Sequence, residues 1–244
     1  MLNLWRAADE VGVFESGWTS DHIGAMHEAD PGTPRLEGWM TLAALAQATR
    51  RLRLGVLVSG AQYRHPVLLA RMAATVDAIS GGGRLELGIG AGWNDEEALA
   101  YGMELGTPRQ RSDRLEEACR LIASQPSHPP ICVGGSGEKR TLRTAARYAQ
   151  HWNFDVGRPE QFARARDVLH QHCADIGRDP AQILMSAQVR FTGDAARTAD
   201  EAAAFAERGC RLVIIYLPLP YATDVVESLA GALAGMTGDE DRGA

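Results

Sequence analysis

Long hydrophobic runs are missing from this 244-residue sequence. No apolar stretch approaches the roughly 20 residues that a bilayer-spanning helix requires, so neither a helical span nor a membrane partner is expected. An excess of basic charge is missing too. Lys and Arg number 25 against 31 Asp and Glu, for a formal net charge of −6. Sequence-independent binding to a nucleic-acid backbone rests on clustered Lys and Arg, so a nucleic-acid partner is not expected. Cysteine is scarce. Cys119, Cys132, Cys173 and Cys210 are scattered, with neither the close pairing of a zinc site nor the density of a disulfide framework, and they read as reduced thiols. The segment Met1-Leu2-Asn3-Leu4-Trp5-Arg6 lacks the basic flank, apolar stretch and cleavage site of a secretory leader, so a cytoplasmic protein is expected. The one metal-like grouping, His170-Gln171-His172-Cys173, falls in a helical stretch where neighbours at i and i+2 point to different faces. No metal site is expected there. A nucleophile-elbow sequence and a Walker A spacing are also absent, which disfavours a barrel hydrolase or a P-loop enzyme.

What the sequence does contain is alternation. Apolar residues spaced three and four apart mark helices at 2–11, 38–49, 66–79, 95–101, 114–123, 141–149, 159–176, 198–208 and 222–233. Between them lie short β-prone runs at 15–20, 52–59, 84–90, 131–133, 151–156, 183–191 and 212–217. Strand followed by helix along a whole chain implies a parallel sheet covered by helices, because parallel strands need crossover connections. The expected fold is therefore an α/β barrel of the (β/α)8 type, as one domain over 1–244, with a frayed polar tail at 235–244. An open dinucleotide-binding sheet is the weaker reading. Gly88-Ile89-Gly90-Ala91-Gly92 follows a middle strand rather than the first, and its spacing is not that of the G-x-G-x-x-G fingerprint.

In a parallel barrel the carboxyl ends of the strands carry the chemistry. The first run ends in Ser20-Asp21-His22, an ionisable pair in which Asp21 could orient His22 or accept from a cofactor N–H; turn and cap chemistry would use the same residues. The second ends in Val58-Ser59-Gly60 and leads to Tyr63-Arg64-His65-Pro66, where His65-Pro66 suits the start of a helix. The third ends in Gly90-Ala91-Gly92-Trp93-Asn94, whose glycines let a planar ring approach the backbone and whose Asn offers donor and acceptor. The fourth, Ile131-Cys132-Val133, runs into Gly134-Gly135-Ser136-Gly137 and then a helix, an arrangement that directs free N–H groups and a helix dipole at an anion such as phosphate.

Taken in order, Trp18-Thr19-Ser20-Asp21-His22, Leu54 to Gly60 with Tyr63-Arg64-His65-Pro66, Leu87 to Trp93, and Ile131 to Gly137 resemble the luciferase-like monooxygenases, especially the branch that uses the deazaflavin coenzyme F420. The likeness runs from Leu2 to about Leu233. It implies that Asp21 and His22 lie beside the ring, with His22 as acid/base group or stabiliser of reduced cofactor. It implies a bulge with a non-prolyl cis peptide at Leu57-Val58, against the ring beside Ser59. It further places Gly90, Gly92 and Asn94 along the ring and its side chain, and Gly134, Gly135 and Ser136 at the phosphate. The implied activity is hydride transfer between reduced F420 and a small organic substrate. A luciferase-like monooxygenase using flavin mononucleotide (FMN) is the near alternative, and a non-catalytic flavin-binding protein the more distant one. Two departures stand out: the chain begins at what resembles the family's first helix, so the first barrel strand is missing, and the family's longer excursion shrinks to Ser124-Gln125-Pro126-Ser127-His128. A missing strand leaves open sheet edges. Either the coding start lies further upstream or another chain covers the gap, and a homodimer is expected.

Overall fold

A computed structural model of the chain describes residues 1–24, 35–155, 157–218 and 222–235. Val156 and residues 236–244 of the expected tail lie outside the described residues. The elements in chain order are α1 (Leu2–Glu10), β1 (Ser16–Thr19), α2 (Gly38–Ala48), β2 (Arg53–Val56), β3 (Ser59–Gly60), α3 (Pro66–Ile79), β4 (Leu85–Gly90), α4 (Asp95–Ala100), α5 (Pro108–Ala123), β5 (Ile131–Gly134), α6 (Thr141–Tyr148), β6 (His151–Phe154), α7 (Pro159–Asp175), a 3-10 turn (Pro180–Gln182), β7 (Leu184–Arg190), α8 (Ala195–Ala206), β8 (Leu212–Tyr216) and α9 (Asp224–Leu233). Among the described residues no helix is long and apolar enough to cross a membrane.

Every strand pairing is parallel, and the order β1-β2-β4-β5-β6-β7-β8 follows the chain. Helices cover the sheet, and the touching of α1 and α9 brings its two ends round toward each other. This is a (β/α)8-type barrel in which, among the described residues, one strand is lacking between β8 and β1. Central β4 and β6 are buried at every position, as strands covered on both faces must be. Edge strands β1 and β8 are only half-buried throughout. Helices α7 and α8 send Phe162 and Phe205 against Phe154 of β6, and Trp152 stacks on Phe162 at 5.5 Å between ring centres.

The expected strand at 52–59 is two strands. Gly55 pairs with Glu86 and Ser59 with Ile89, so four steps on one chain oppose three on the other. One extra residue is a β-bulge, and it falls where the Leu57–Val58 peptide is cis. Helix α5 also begins earlier than the apolar spacing indicates, because Thr107 and Gln110 form a capping box around Pro108.

A chain of polar side chains crosses the barrel interior. Arg53 pairs with Glu86, and His151 Nδ1 lies 2.6 Å from the other Glu86 oxygen. Ser186 Oγ lies 2.6 Å from His151 Nε2 and accepts from Asn153 Nδ2 at 2.8 Å. A neutral ring satisfies these contacts, donating from Nδ1 to the carboxylate and accepting the Ser186 hydroxyl at Nε2. Burial, with Arg53 alongside, pushes His151 down to about 3. The unfolded chain therefore takes up a proton near pH 6.5 that the folded chain refuses, and stability falls as pH drops through that range. Urea denaturation at pH 7 and pH 5 should show His151 contributing a loss of about 2 kcal/mol, a slope missing from His151→Gln.

Candidate active site

The sheet is parallel, so the carboxyl ends of its strands share one rim, and the tips of β1, β3, β4 and β5 meet there around two ion clusters and one side chain. The first cluster is buried. Asp21, just past β1, is 2% exposed. Arg64 donates to both its oxygens, Nη1 at 2.5 Å and Nη2 at 3.1 Å, and also pairs with Glu37 at the cap of α2. The Ser59 hydroxyl stands beside the Asp21-Arg64 pair and accepts from Trp39 Nε1 at 2.9 Å. Burial pushes the Asp21 carboxyl above its usual value, while Arg64 and Ser59 pull the other way. Asp21 therefore turns toward Arg64 and Ser59 and does not orient His22.

That role falls to Glu97, which sequence reasoning missed. His22 Nδ1 lies 2.9 Å from Glu97 Oε2, which also accepts from the Tyr63 hydroxyl. The backbone N–H groups of Ile23 and Gly24 donate to Oε1 at 2.7 and 2.9 Å. Burial would raise this carboxyl, but Tyr63, the Gly24 amide and His22 together hold it below its ordinary value. Burial and the adjoining carboxylate push the Tyr63 phenol up. On its other side the His22 ring meets the edge of Trp93, ring centres 5.5 Å apart at 68°. Trp93 is 62% exposed, so the imidazole borders open space at the mouth.

Val58 gathers the glycine tips. A Cβ on Gly90 would lie 2.7 Å from Val58 Cγ2, and one on Gly134 would lie 3.0 Å from Val58 Cγ1. A side chain at 90 would clash with Val58, and one at 134 would need Val58 to give way. The Gln62 amide packs in the same way over Gly60 and Gly92, and its Oε1 is buried with no hydrogen-bond donor among the described residues. Asn94 caps α4, accepting from Glu97 N at 3.0 Å. An Asn followed three residues later by Glu at a strand tip is the local signal for Glu97, but it reads as a capping pair.

At β5 the geometry is looser than expected. The Gly135 N–H donates to the Asn153 carbonyl at 3.0 Å, and its own carbonyl accepts from Trp152 Nε1 at 2.9 Å. Helix α6 begins at Thr141 after a turn in which Arg140 and Leu142 both donate to the Gly137 carbonyl. The helix start is thus displaced by a turn from Gly134, Gly135 and Ser136. His65 caps α3, its Nδ1 accepting from Val67 N at 3.3 Å. His172 lies against the Glu138 carbonyl while Cys173 enters the core, so that grouping does not converge. The four cysteines are free and buried.

The residues at the rim fit a flat heterocycle. Its floor is backbone and one branched side chain, its edge holds acceptors and an imidazole, and Gln62 Oε1 awaits a donor.

Comparison with known proteins agrees with this architecture. Residues 1–124 match the luciferase-like monooxygenase family, and the chain belongs to it. An uncharacterised protein of Mycobacterium tuberculosis is 30% identical over 211 residues, 71% of this chain and 74% of that one. The phthiodiolone/phenolphthiodiolone dimycocerosates ketoreductase of the same organism is 31% identical over 223 residues, 74% of this chain and 58% of that one. Among solved structures, an F420-dependent secondary alcohol dehydrogenase with an F420-acetone adduct superposes with a TM-score of 0.86 at 15% identity, over 97% of this chain and 94% of that one. Membership makes the chain a relative of flavin-type oxidoreductases.

Proposed function

We propose that this protein is an oxidoreductase that uses coenzyme F420 to transfer a hydride to or from a small organic carbonyl or alcohol. The observation that carries the reading is the convergence, on one rim, of His22 with the glycine tips of β4 and β5 around Val58. Gly90, Gly92 and Asn94 would border the ring, Leu57, Val58 and Ser59 would lie against one face, and Asp21 would stand at its edge. Gly134, Gly135 and Ser136 would hold the phosphate. Bound there, the deazaflavin would supply the hydride chemistry. His22 would take the hydroxyl proton of an alcohol undergoing oxidation, or give a proton to the oxygen of a carbonyl undergoing reduction. The named activities of the ketoreductase relative and of the alcohol dehydrogenase support carbonyl and alcohol substrates, and the second supports F420 over FMN. A homodimer belongs to the same proposal, supported by the half-buried edge strands β1 and β8.

Reconstituting the purified protein separately with F420 and with FMN, followed by desalting and absorption spectroscopy, tests the reading. F420 is expected to stay with the protein and to be reduced by a secondary alcohol. Retention of FMN with oxygen consumption would replace it by the monooxygenase reading, and retention without turnover by a binding role.

A further inference from the structure

We propose that Glu97 is the positioning residue of the site, fixing the proton of the neutral His22 ring on Nδ1 so that Nε2 is the atom that works at the mouth. This deepens the proposed function and rests on His22 as its acid/base group. Glu97 lies in the first turn of α4, its side chain 4% exposed, with all four of its contacts to donors: the amides of Ile23 and Gly24, the Tyr63 hydroxyl and His22 Nδ1. An ionised carboxylate only accepts hydrogen bonds, so the nitrogen facing it must carry hydrogen. Once Nδ1–H is committed, the second ring nitrogen holds the lone pair. The same carboxylate clamps the backbone on which the ring is mounted, through the two residues that follow it, while Trp93 limits the ring from the other side. One group therefore sets both the location of the imidazole and its tautomer. Tyr63 shares Oε2 with His22 and holds the carboxylate to the loop after β3.

The test is 15N NMR of the full-length protein labelled at histidine, at alkaline pH where the imidazoles are neutral, with no cofactor or substrate present. The sequence has seven histidines, and the pair of ring signals missing from His22→Gln identifies residue 22. Wild type is expected to show a protonated Nδ1 and a lone-pair Nε2 at His22. Glu97→Gln puts an amide donor within reach of Nδ1 and should move His22 toward the Nε2–H form, while Tyr63→Phe, which leaves the carboxylate in place, should keep the wild-type tautomer. If the cofactor reading holds, Glu97→Gln lowers kcat by up to about 10²-fold with KM little changed. A wild-type His22 protonated at Nε2 overturns the proposal, even should Glu97→Gln fail to fold, and so does an unchanged tautomer in a folded Glu97→Gln. The tautomer is read without F420, so failure of cofactor binding leaves this result standing.

Discussion

His22→Ala is expected to lower turnover by about 10²- to 10⁴-fold while the protein still retains its cofactor. That range is what a positioned acid/base group contributes when the chemistry needs a proton moved with the hydride. The ring lies against Trp93 and Glu97 at the mouth, so truncating it opens no deep cavity, and the fold should survive. Steady-state rates set beside a cofactor titration of the same preparation check the expectation. Turnover within a few-fold of wild type would remove His22 from the chemistry.

The second large effect is on stability. Arg64→Leu strips Asp21 of the guanidinium that bonds both its oxygens, leaving a carboxylate whose side chain is 1% exposed. Breaking a buried pair from one side costs about 3–5 kcal/mol, measurable by urea denaturation at neutral pH. The sign with pH is definite. In the variant the folded state binds a proton on Asp21 more tightly than the unfolded chain does, so the deficit narrows as pH falls. The double variant Asp21→Asn with Arg64→Leu should recover part of the loss even at neutral pH. An Arg64→Leu protein as stable as wild type would show that solvent reaches Asp21.

Much of the fold was legible because helix and strand periods are local properties. The apolar spacing located every α-helix described here, and placed the starts of α5 and α8 too late because their capping residues, Thr107 and Asp194, precede the apolar pattern. The run 52–59 looks continuous because hydrophobicity does not register a bulge; only pairing with β4 reveals the extra residue. In the site, the glycine tips and His22 could be read as strand ends, and they do share one rim. Their partners could not. Glu97 lies 75 positions from His22 and Arg64 43 positions from Asp21, so the local reading paired Asp21 with its neighbour His22 and passed over Glu97. Side-chain partnerships across strands are decided by the closure of the sheet, which no window of sequence contains.

Val58 also has an evolutionary implication. Its two methyl groups occupy the room that side chains at 90 and 134 would need, so these three positions constitute one interlocked unit drawn from separate stretches of the chain. A side chain gained at 90 is therefore expected together with a smaller residue at 58, a pairing of replacements that sequence comparison across the lineage would reveal.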